Sequence, residues 1–256
     1  MNITAFIGSA RKRHTYYATE KFLEQLESFE DTDYEIVSLS DYRLETCKGC
    51  ITCLDKGEEY CPLQDDRDKL IEKMFNSDGV IFATPNYSFQ VSGLMKVFLD
   101  RLGFFFHRPQ FFGKTFTSIV TQGIYGGKDI IKYLDFVGQG LGFNTVKGCC
   151  ITTREPLPEK IEKKNNEVIK KQANKFHRKF KSKKYPPPAL VRLIMFRMSR
   201  TNIKIELNEE FRDYTYYREK GWFESDYYYP VKLNPFKKLI GKLFDIIAIR
   251  MANENQ

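Results

Sequence analysis

Two clusters of residues could do chemistry. The first is Gly8-Ser9-Ala10-Arg11-Lys12-Arg13-His14-Thr15, which follows directly on the short apolar run Asn2 to Ile7. A strand that breaks into such a turn and then enters a helix leaves the first helical N–H groups without partners, at the positive end of the helix dipole. That arrangement favours an anion. Hydroxyls from Ser9 and Thr15 and the fork of Arg11 add charge-assisted hydrogen bonds, and Lys12 and His14 lie in the same turn. No Gly-Lys-Ser/Thr follows at the Walker spacing and the three glycines of the dinucleotide fingerprint are missing, so a monophosphate is the anion expected. The plainer alternative is an ordinary strand-to-helix connection with a solvated basic loop.

The second cluster is Cys47-Lys48-Gly49-Cys50-Ile51-Thr52-Cys53 followed by Cys61-Pro62, four of the chain's 6 cysteines. Three cysteines at every third position with a fourth shortly after can wrap an iron-sulfur cubane, with a longer final gap here than in ferredoxins; zinc ribbons separate two pairs by a longer spacer. Three readings stand open: a 4Fe-4S cluster on Cys47, Cys50, Cys53 and Cys61, reduced thiols in a substrate-side loop, or zinc. Cys149 and Cys150 fall in an apolar stretch and read as buried and inert. His14, His107 and His177 are too scattered to suggest a metal site.

The elements that must position these clusters follow from periodicity. Ala18 to Phe29 carries Phe22, Leu23, Leu26 and Phe29 at helical spacing, and Tyr34 to Leu39 reads as a second strand. The cysteines occupy a long loop from Ser40 to Gln64, after which Asp65-Asp66 is expected to cap a helix from Arg67 to Asn76. Gly79 to Thr84 is a continuous apolar run, the pattern of a strand covered on both faces, Thr115 to Thr121 reads as a fourth strand, and Thr145 to Thr152 as a fifth. Helices are expected over Ser92 to Leu102 and Lys128 to Gly140. Five strands alternating with helices imply a doubly wound α/β parallel sheet. Ligands of such sheets sit at the carboxyl ends of the strands, so three loops should converge: Ser9 to Thr15, Pro85-Asn86-Tyr87-Ser88-Phe89, and Thr121-Gln122-Gly123 through Gly126 to Gly127. A phosphate turn beside an amide, aromatic rings and flexible glycine backbone suits a mononucleotide with a planar ring.

Gly8-Ser9-x-Arg11, Pro85-Asn86-Tyr87-Ser88 and Ser92-Gly93-Leu94-Met95-Lys96-x-Phe98-Leu99-Asp100-Arg101, in that order, resemble the NAD(P)H-dependent FMN reductases of the flavodoxin-like fold, over residues 1 to 152. The compact cysteine motif is similar to that of the iron-sulfur flavoprotein branch. The resemblance implies a five-stranded sheet of order 2-1-3-4-5 and FMN held at its phosphate by Ser9, Arg11 and Thr15. Pro85 to Phe89 would border the ring, with Thr121, Gln122, Gly123 and Gly126 closing the other side. It also implies NAD(P)H as reductant and a flavin, quinone, nitro compound or electron-transfer protein as acceptor. The flavin carries the hydride chemistry in that family, so no side chain is nominated as catalytic. The rival reading within it is an electron carrier using FMN and a 4Fe-4S cluster.

Composition bounds the rest. At 256 residues and 42% hydrophobic the chain can bury one good core and a modest appendage. The expected division is an FMN-binding domain over 1–184 and an extension over 185–256. Nothing is apolar enough to span a bilayer and no removable leader is legible, so a cytoplasmic protein is expected. The net charge is −3 over residues 1–128 and +11 over 129–256. A Lys-rich solvated helix explains that asymmetry better than a nucleic-acid partner. Gly103 to Phe112, dense in phenylalanine, reads either as core or as a contact in a homo-oligomer, a dimer or tetramer. In the extension, Ala189 to Met198 is apolar, Asp213 to Tyr229 is crowded with tyrosines, and Pro235 to Met251 is amphipathic. Its apolar face is expected to carry Phe236, Leu239, Ile240, Leu243, Phe244 and Ile247 and to pack on its own domain or a second subunit.

Overall fold

The computed structural model describes residues 1–182 and 184–254; Lys183, Asn255 and Gln256, which fall within the domain expectations above, lie outside the described residues. In chain order the elements are β1 (Asn2–Ile7), α1 (His14–Glu27), β2 (Asp33–Ser38), α2 (Thr52–Asp55), α3 (Arg67–Asn76), β3 (Gly79–Pro85), α4 (Gly93–Arg101), β4 (Thr115–Gln122), α5 (Gly127–Gly140), β5 (Asn144–Thr145), β6 (Cys149–Thr152), α6 (Glu159–Phe180), α7 (Leu190–Glu206), α8 (Arg212–Glu219) and α9 (Pro235–Glu254). The chain forms two compact units. The first comprises Met1–Cys47, Leu63–Gly103 and Pro109–Lys184, and the second Lys48–Pro62, Phe104–Arg108 and Tyr185–Gln256.

The first unit is the expected parallel sheet, ordered β2-β1-β3-β4-β5, with helices on both sides. Alternate residues of each central strand point to opposite faces. Ile3, Ala5 and Ile7 pack with Phe22, Leu23 and Leu26 of α1 and Ile169, Ala173 and Phe176 of α6. On the other face Phe6 stacks on Phe98 of α4 at 5.2 Å, and Phe82 meets Phe116 edge-on at 5.0 Å. Burial on both faces is why β3 reads as an unbroken apolar run, and each fully buried phenylalanine contributes about 1.5–3 kcal/mol.

The fifth strand differs from the expected Thr145 to Thr152. It is two short pieces on the same edge of β4, β5 against Thr115 and Phe116 and β6 against Ile119 to Gln122. The break is built in at Lys147-Gly148, where Asp135 accepts the Gly148 N–H at 3.0 Å and Gln172 donates to the Lys147 carbonyl at 2.7 Å. Helix α1 begins at His14, four residues earlier than the apolar spacing signalled, because its first turn is polar. Asp65 and Asp66 also act differently from plain caps. Asp66 accepts the Arg43 N–H at 2.8 Å and Asp65 the Glu45 N–H at 2.9 Å, tying the stretch before the cysteines to the start of α3. Asp65 is further paired with Arg101 at 2.9 Å, both side chains buried.

The second unit has an aromatic core. Trp222, the chain's single tryptophan, is buried among Tyr217 (4.9 Å) and Tyr228 (4.7 Å) and donates from Nε1 to the Tyr228 carbonyl at 3.0 Å. Helices α7 and α9 pack through Arg197, which binds Asp245 and Asp226, while Arg200 and Thr201 also donate to Asp245. This overturns the expected facing of α9. Its buried residues are Gly241, Ala248 and Ala252, and Phe236, Leu239 and Leu243 are exposed. The inner face carries small residues, and Gly241 lies against Arg197, whose Nε an added Cβ would meet at the ordinary contact distance of 3.4 Å. In the phenylalanine-rich stretch, Phe104, Phe105 and Phe111 are buried and Phe106 is 38% exposed.

Candidate functional site

The loop after β1 is fixed by close approach. Gly8 donates its N–H to the Ala83 carbonyl at 2.8 Å, and its own carbonyl accepts the hydroxyl of Ser92 at 2.5 Å. Ser92 also caps α4 by accepting the Met95 N–H at 3.2 Å. A Cβ at position 8 would lie 2.7 Å from both Met95 Cβ and Ser92 Oγ, so glycine is required by packing rather than by a left-handed backbone. Beyond this lock the chain turns into α1, whose first turn carries neither a side-chain cap nor an acidic residue. Its leading N–H groups are therefore left to a ligand or to solvent.

Thr15, in that first turn, bonds through its hydroxyl to the Thr121 hydroxyl at 2.8 Å, joining the start of α1 to the end of β4 in a buried contact. The loop after β3 is tied to the same strand end, since the Asn86 N–H donates to the Thr121 carbonyl at 2.7 Å. Asn86 Nδ2 then reaches the Tyr125 carbonyl at 2.8 Å. Gln122 shapes the loop after β4 by accepting the Gly127 N–H at 2.7 Å.

These loops enclose a cavity of about 310 Å³. Of the residues singled out from sequence, Ser9, Arg11, His14, Thr15, Pro85, Asn86, Tyr87, Thr121, Gln122 and Gly123 line it, and Lys12, Ser88, Phe89 and Gly126 do not. Lys12 lies over the Tyr16 ring at 5.4 Å. Ser88 and Phe89 are the central pair of a tight turn closed by backbone bonds between Tyr87 and Gln90, both with positive φ (50° and 63°). Phe89 is exposed and contacts the Tyr125 ring at 5.2 Å; a Cβ on Gly126 would press on Phe89 at 2.8 Å.

Three lining residues escaped the sequence reading: Arg13, Thr153 and Glu155. Arg13 lay inside the basic turn and was legible there. Thr153 and Glu155 follow β6 and arrive through the sheet, Thr153 by donating its N–H to the Gln122 carbonyl at 2.8 Å and Glu155 by pairing with His14 Nε2 at 2.8 Å. The turn after β1 thus brings Arg11, Arg13 and His14 to the cavity, with Glu155 against His14, and the loop after β3 brings Pro85, Asn86 and Tyr87. Among the described residues Asn86 Oδ1 is buried there without a hydrogen-bond partner, an acceptor in want of a donor.

In the cysteine cluster, Cys47 and Cys50 are exposed and Cys53 and Cys61 half-buried. Thr52 donates its hydroxyl to Cys50 Sγ at 3.4 Å, and that hydrogen bond pulls the Cys50 thiol below its usual pKa. Among the described residues no three His, Cys, Asp or Glu side chains are gathered as metal ligands. Cys149 and Cys150 stand apart on β6; Cys149 is buried as expected and Cys150, on the opposite face of the strand, only half-buried, and burial pushes their thiols up to about 12 and about 11. The three histidines each meet a carboxylate in a different place: His14 with Glu155, His107 with Asp213 and His177 with Glu30. No helix among the described residues is long and apolar enough to cross a membrane.

Sheet order and a cavity at the carboxyl ends of β1, β3 and β4 define the class: a flavodoxin-like α/β protein. Residues 1–155 match NADPH-dependent FMN reductase, and the chain belongs to that family. It is 30% identical over 235 residues to an iron-sulfur flavoprotein of Archaeoglobus fulgidus, covering 87% of this chain and 100% of that one. An iron-sulfur flavoprotein of Clostridioides difficile is 31% identical over 196 residues, 73% of this chain and 83% of its own. Among solved structures, RosB with bound 8-demethyl-8-formylriboflavin-5'-phosphate shares the fold at a TM-score of 0.58, with 15% identity and 92% of each chain covered.

Proposed function

We propose that this protein is an FMN-dependent oxidoreductase that takes electrons from NAD(P)H and passes them to a flavin, a quinone or another small acceptor. One observation carries the reading: the three loops close on a single cavity that is cationic where a phosphate would sit and amide-and-aromatic where a flat ring would sit. Family membership over residues 1–155 supports the same ligand. The residues suit FMN. Ser9, Arg11, Arg13, His14 and Thr15 would hold the phosphate with the leading N–H groups of α1, and Asn86, Tyr87 and Pro85 would border the ring. Asn86 Oδ1 would gain the ring N–H that it lacks as a partner. Bound there, FMN supplies two-electron and one-electron transfer; the chain's own part is to bind, orient and shield it. Titration of the protein with FMN, followed by quenching of flavin fluorescence, tests the proposal, and no binding at micromolar FMN would defeat it.

A second reading is favoured by the cysteine spacing and by the iron-sulfur flavoproteins among the relatives: an electron carrier in which Cys47, Cys50, Cys53 and Cys61 hold a 4Fe-4S cluster. The cysteines are not drawn together as ligands in this structure, so no electron path is derived through them. Iron and acid-labile sulfide measured on anaerobically purified protein separate the readings. About four irons per chain support the carrier, and flavin without iron supports the reductase.

A further inference from the structure

The cysteine-bearing segment Lys48–Pro62 belongs to the second unit, and one side chain bonds to two of its turns. Arg108 is fully buried. Its Nη2 donates to the Cys53 carbonyl at 2.8 Å and to Glu58 Oε2 at 2.7 Å, and its Nη1 donates to Asp213 of α8. Asp213 is itself buried and also pairs with His107 Nδ1 at 2.8 Å, while Tyr217 donates its hydroxyl to the His107 carbonyl at 3.1 Å. The Phe104 and Tyr216 rings flank the guanidinium at 5.7 and 5.9 Å.

The two loop contacts fall on either side of a hinge. Cys53 lies in α2, the single turn that begins after Ile51, and Glu58 opens the short 3-10 turn Glu58–Tyr60 that delivers Cys61. Between them Gly57 adopts φ 132°, a backbone open in practice only to glycine. Free rotation at Gly57 would let the two turns swing apart and carry Cys53 away from Cys61. A planar five-donor fork bonded to both turns forbids that, and Asp213 supplies the second carboxylate that keeps the fork in place.

We propose that Arg108, held by Asp213, is a clamp that fixes the two turns carrying Cys53 and Cys61 and so sets how readily those thiols react. It is a positioning role, the same whether the cysteines serve as ligands or as thiols. It also gives the extension a task, because α8 supplies the clamp's anchor.

The test is site-resolved thiol labelling of the full chain, reduced and stripped of iron, with a maleimide read by peptide mass spectrometry. Arg108→Met and Asp213→Asn should speed labelling of Cys53 and Cys61 at least tenfold, roughly the factor for one lost charge-assisted hydrogen bond. Cys47, outside the clamped segment, should keep its rate. Arg108→Lys should fall between, since an ammonium cannot span the same three acceptors. Emission of Trp222 should not shift and FMN affinity should not change. Unchanged rates at Cys53 and Cys61, or a parallel rise at Cys47, would overturn the clamp. Acceleration seen only where Trp222 emission moves red would overturn it too, by assigning the effect to unfolding. If Arg108→Met unfolds the unit, the near-isosteric Asp213→Asn decides by the same criteria.

Discussion

Adding one methyl group at Gly8 should damage both folding and binding. The alanine Cβ would stand 2.7 Å from Met95 Cβ, against about 3.4 Å for an ordinary contact, and both atoms are rigidly attached to backbone. Either α4 retreats by a few tenths of an ångström or the turn does, and either motion lengthens the Ser92–Gly8 hydrogen bond. Overpacking costs about 1–3 kcal/mol, and loss of the hydrogen bond about 0.5–1.5 kcal/mol more. Together these come to about 1.5–4.5 kcal/mol, or a Tm lowered by about 3–18 °C for a unit of this size. Displacing the turn also misaims Ser9 and the first N–H groups of α1. FMN should therefore bind about tenfold to a hundredfold more weakly, the range for one charge-assisted hydrogen bond lost. Differential scanning calorimetry and FMN titration measure the two effects. A Gly8→Ala protein with unaltered Tm and FMN affinity would refute the argument that close approach fixes this glycine.

Other expectations concern single groups. Arg11→Met should weaken FMN about tenfold to a hundredfold by losing a charge-assisted contact while leaving riboflavin, which has no phosphate, unaffected; titration of both ligands checks it. Asp65→Asn takes a buried carboxylate away from the buried Arg101 and should cost about 3–5 kcal/mol at pH 7, read by urea unfolding. Burial alone would raise the Asp65 pKa, but Arg101 and the N–H groups of Glu45 and Arg67 prevail and lower it. The stabilisation is thus complete above the ordinary aspartate range near pH 4 and fades as pH falls through the lowered value, so the gap between wild type and Asp65→Asn should close in acid. Cys149 and Cys150, with thiols raised to about 12 and about 11, should resist alkylation at pH 8 in the folded chain and react after denaturation, as peptide mapping would show.

The sheet was legible because residues such as Val80, Ile81 and Phe82 are buried on both faces and leave no polar alternation to confuse the reading. The three loops were legible because strand ends in a doubly wound sheet must face one crevice. What escaped depended on contacts distant in sequence. Nothing local marks Glu155 as a neighbour of His14, or Arg108 as the partner of Cys53, Glu58 and Asp213. The break in the fifth strand rests on Asp135 and Gln172, which lie on two different helices. The facing of α9 differs from the periodic expectation because hydrophobic periodicity weighs leucine above glycine, whereas Asp245 of α9 is bound by Arg197 and Arg200 of α7, which brings Gly241, Ala248 and Ala252 to the buried side.

The turn at Ser88-Phe89 bears on whether this site could be transplanted. Two consecutive non-glycine residues in the left-handed region cost about 1–2 kcal/mol each. Their sequence would not choose that shape in isolation. The shape persists because Asn86 is tied to β4 and to the Tyr125 carbonyl, and because Phe89 leans on Tyr125. The loop is therefore not portable: the same residues spliced onto another strand end, without the β4 loop beside them, would relax and lose their geometry.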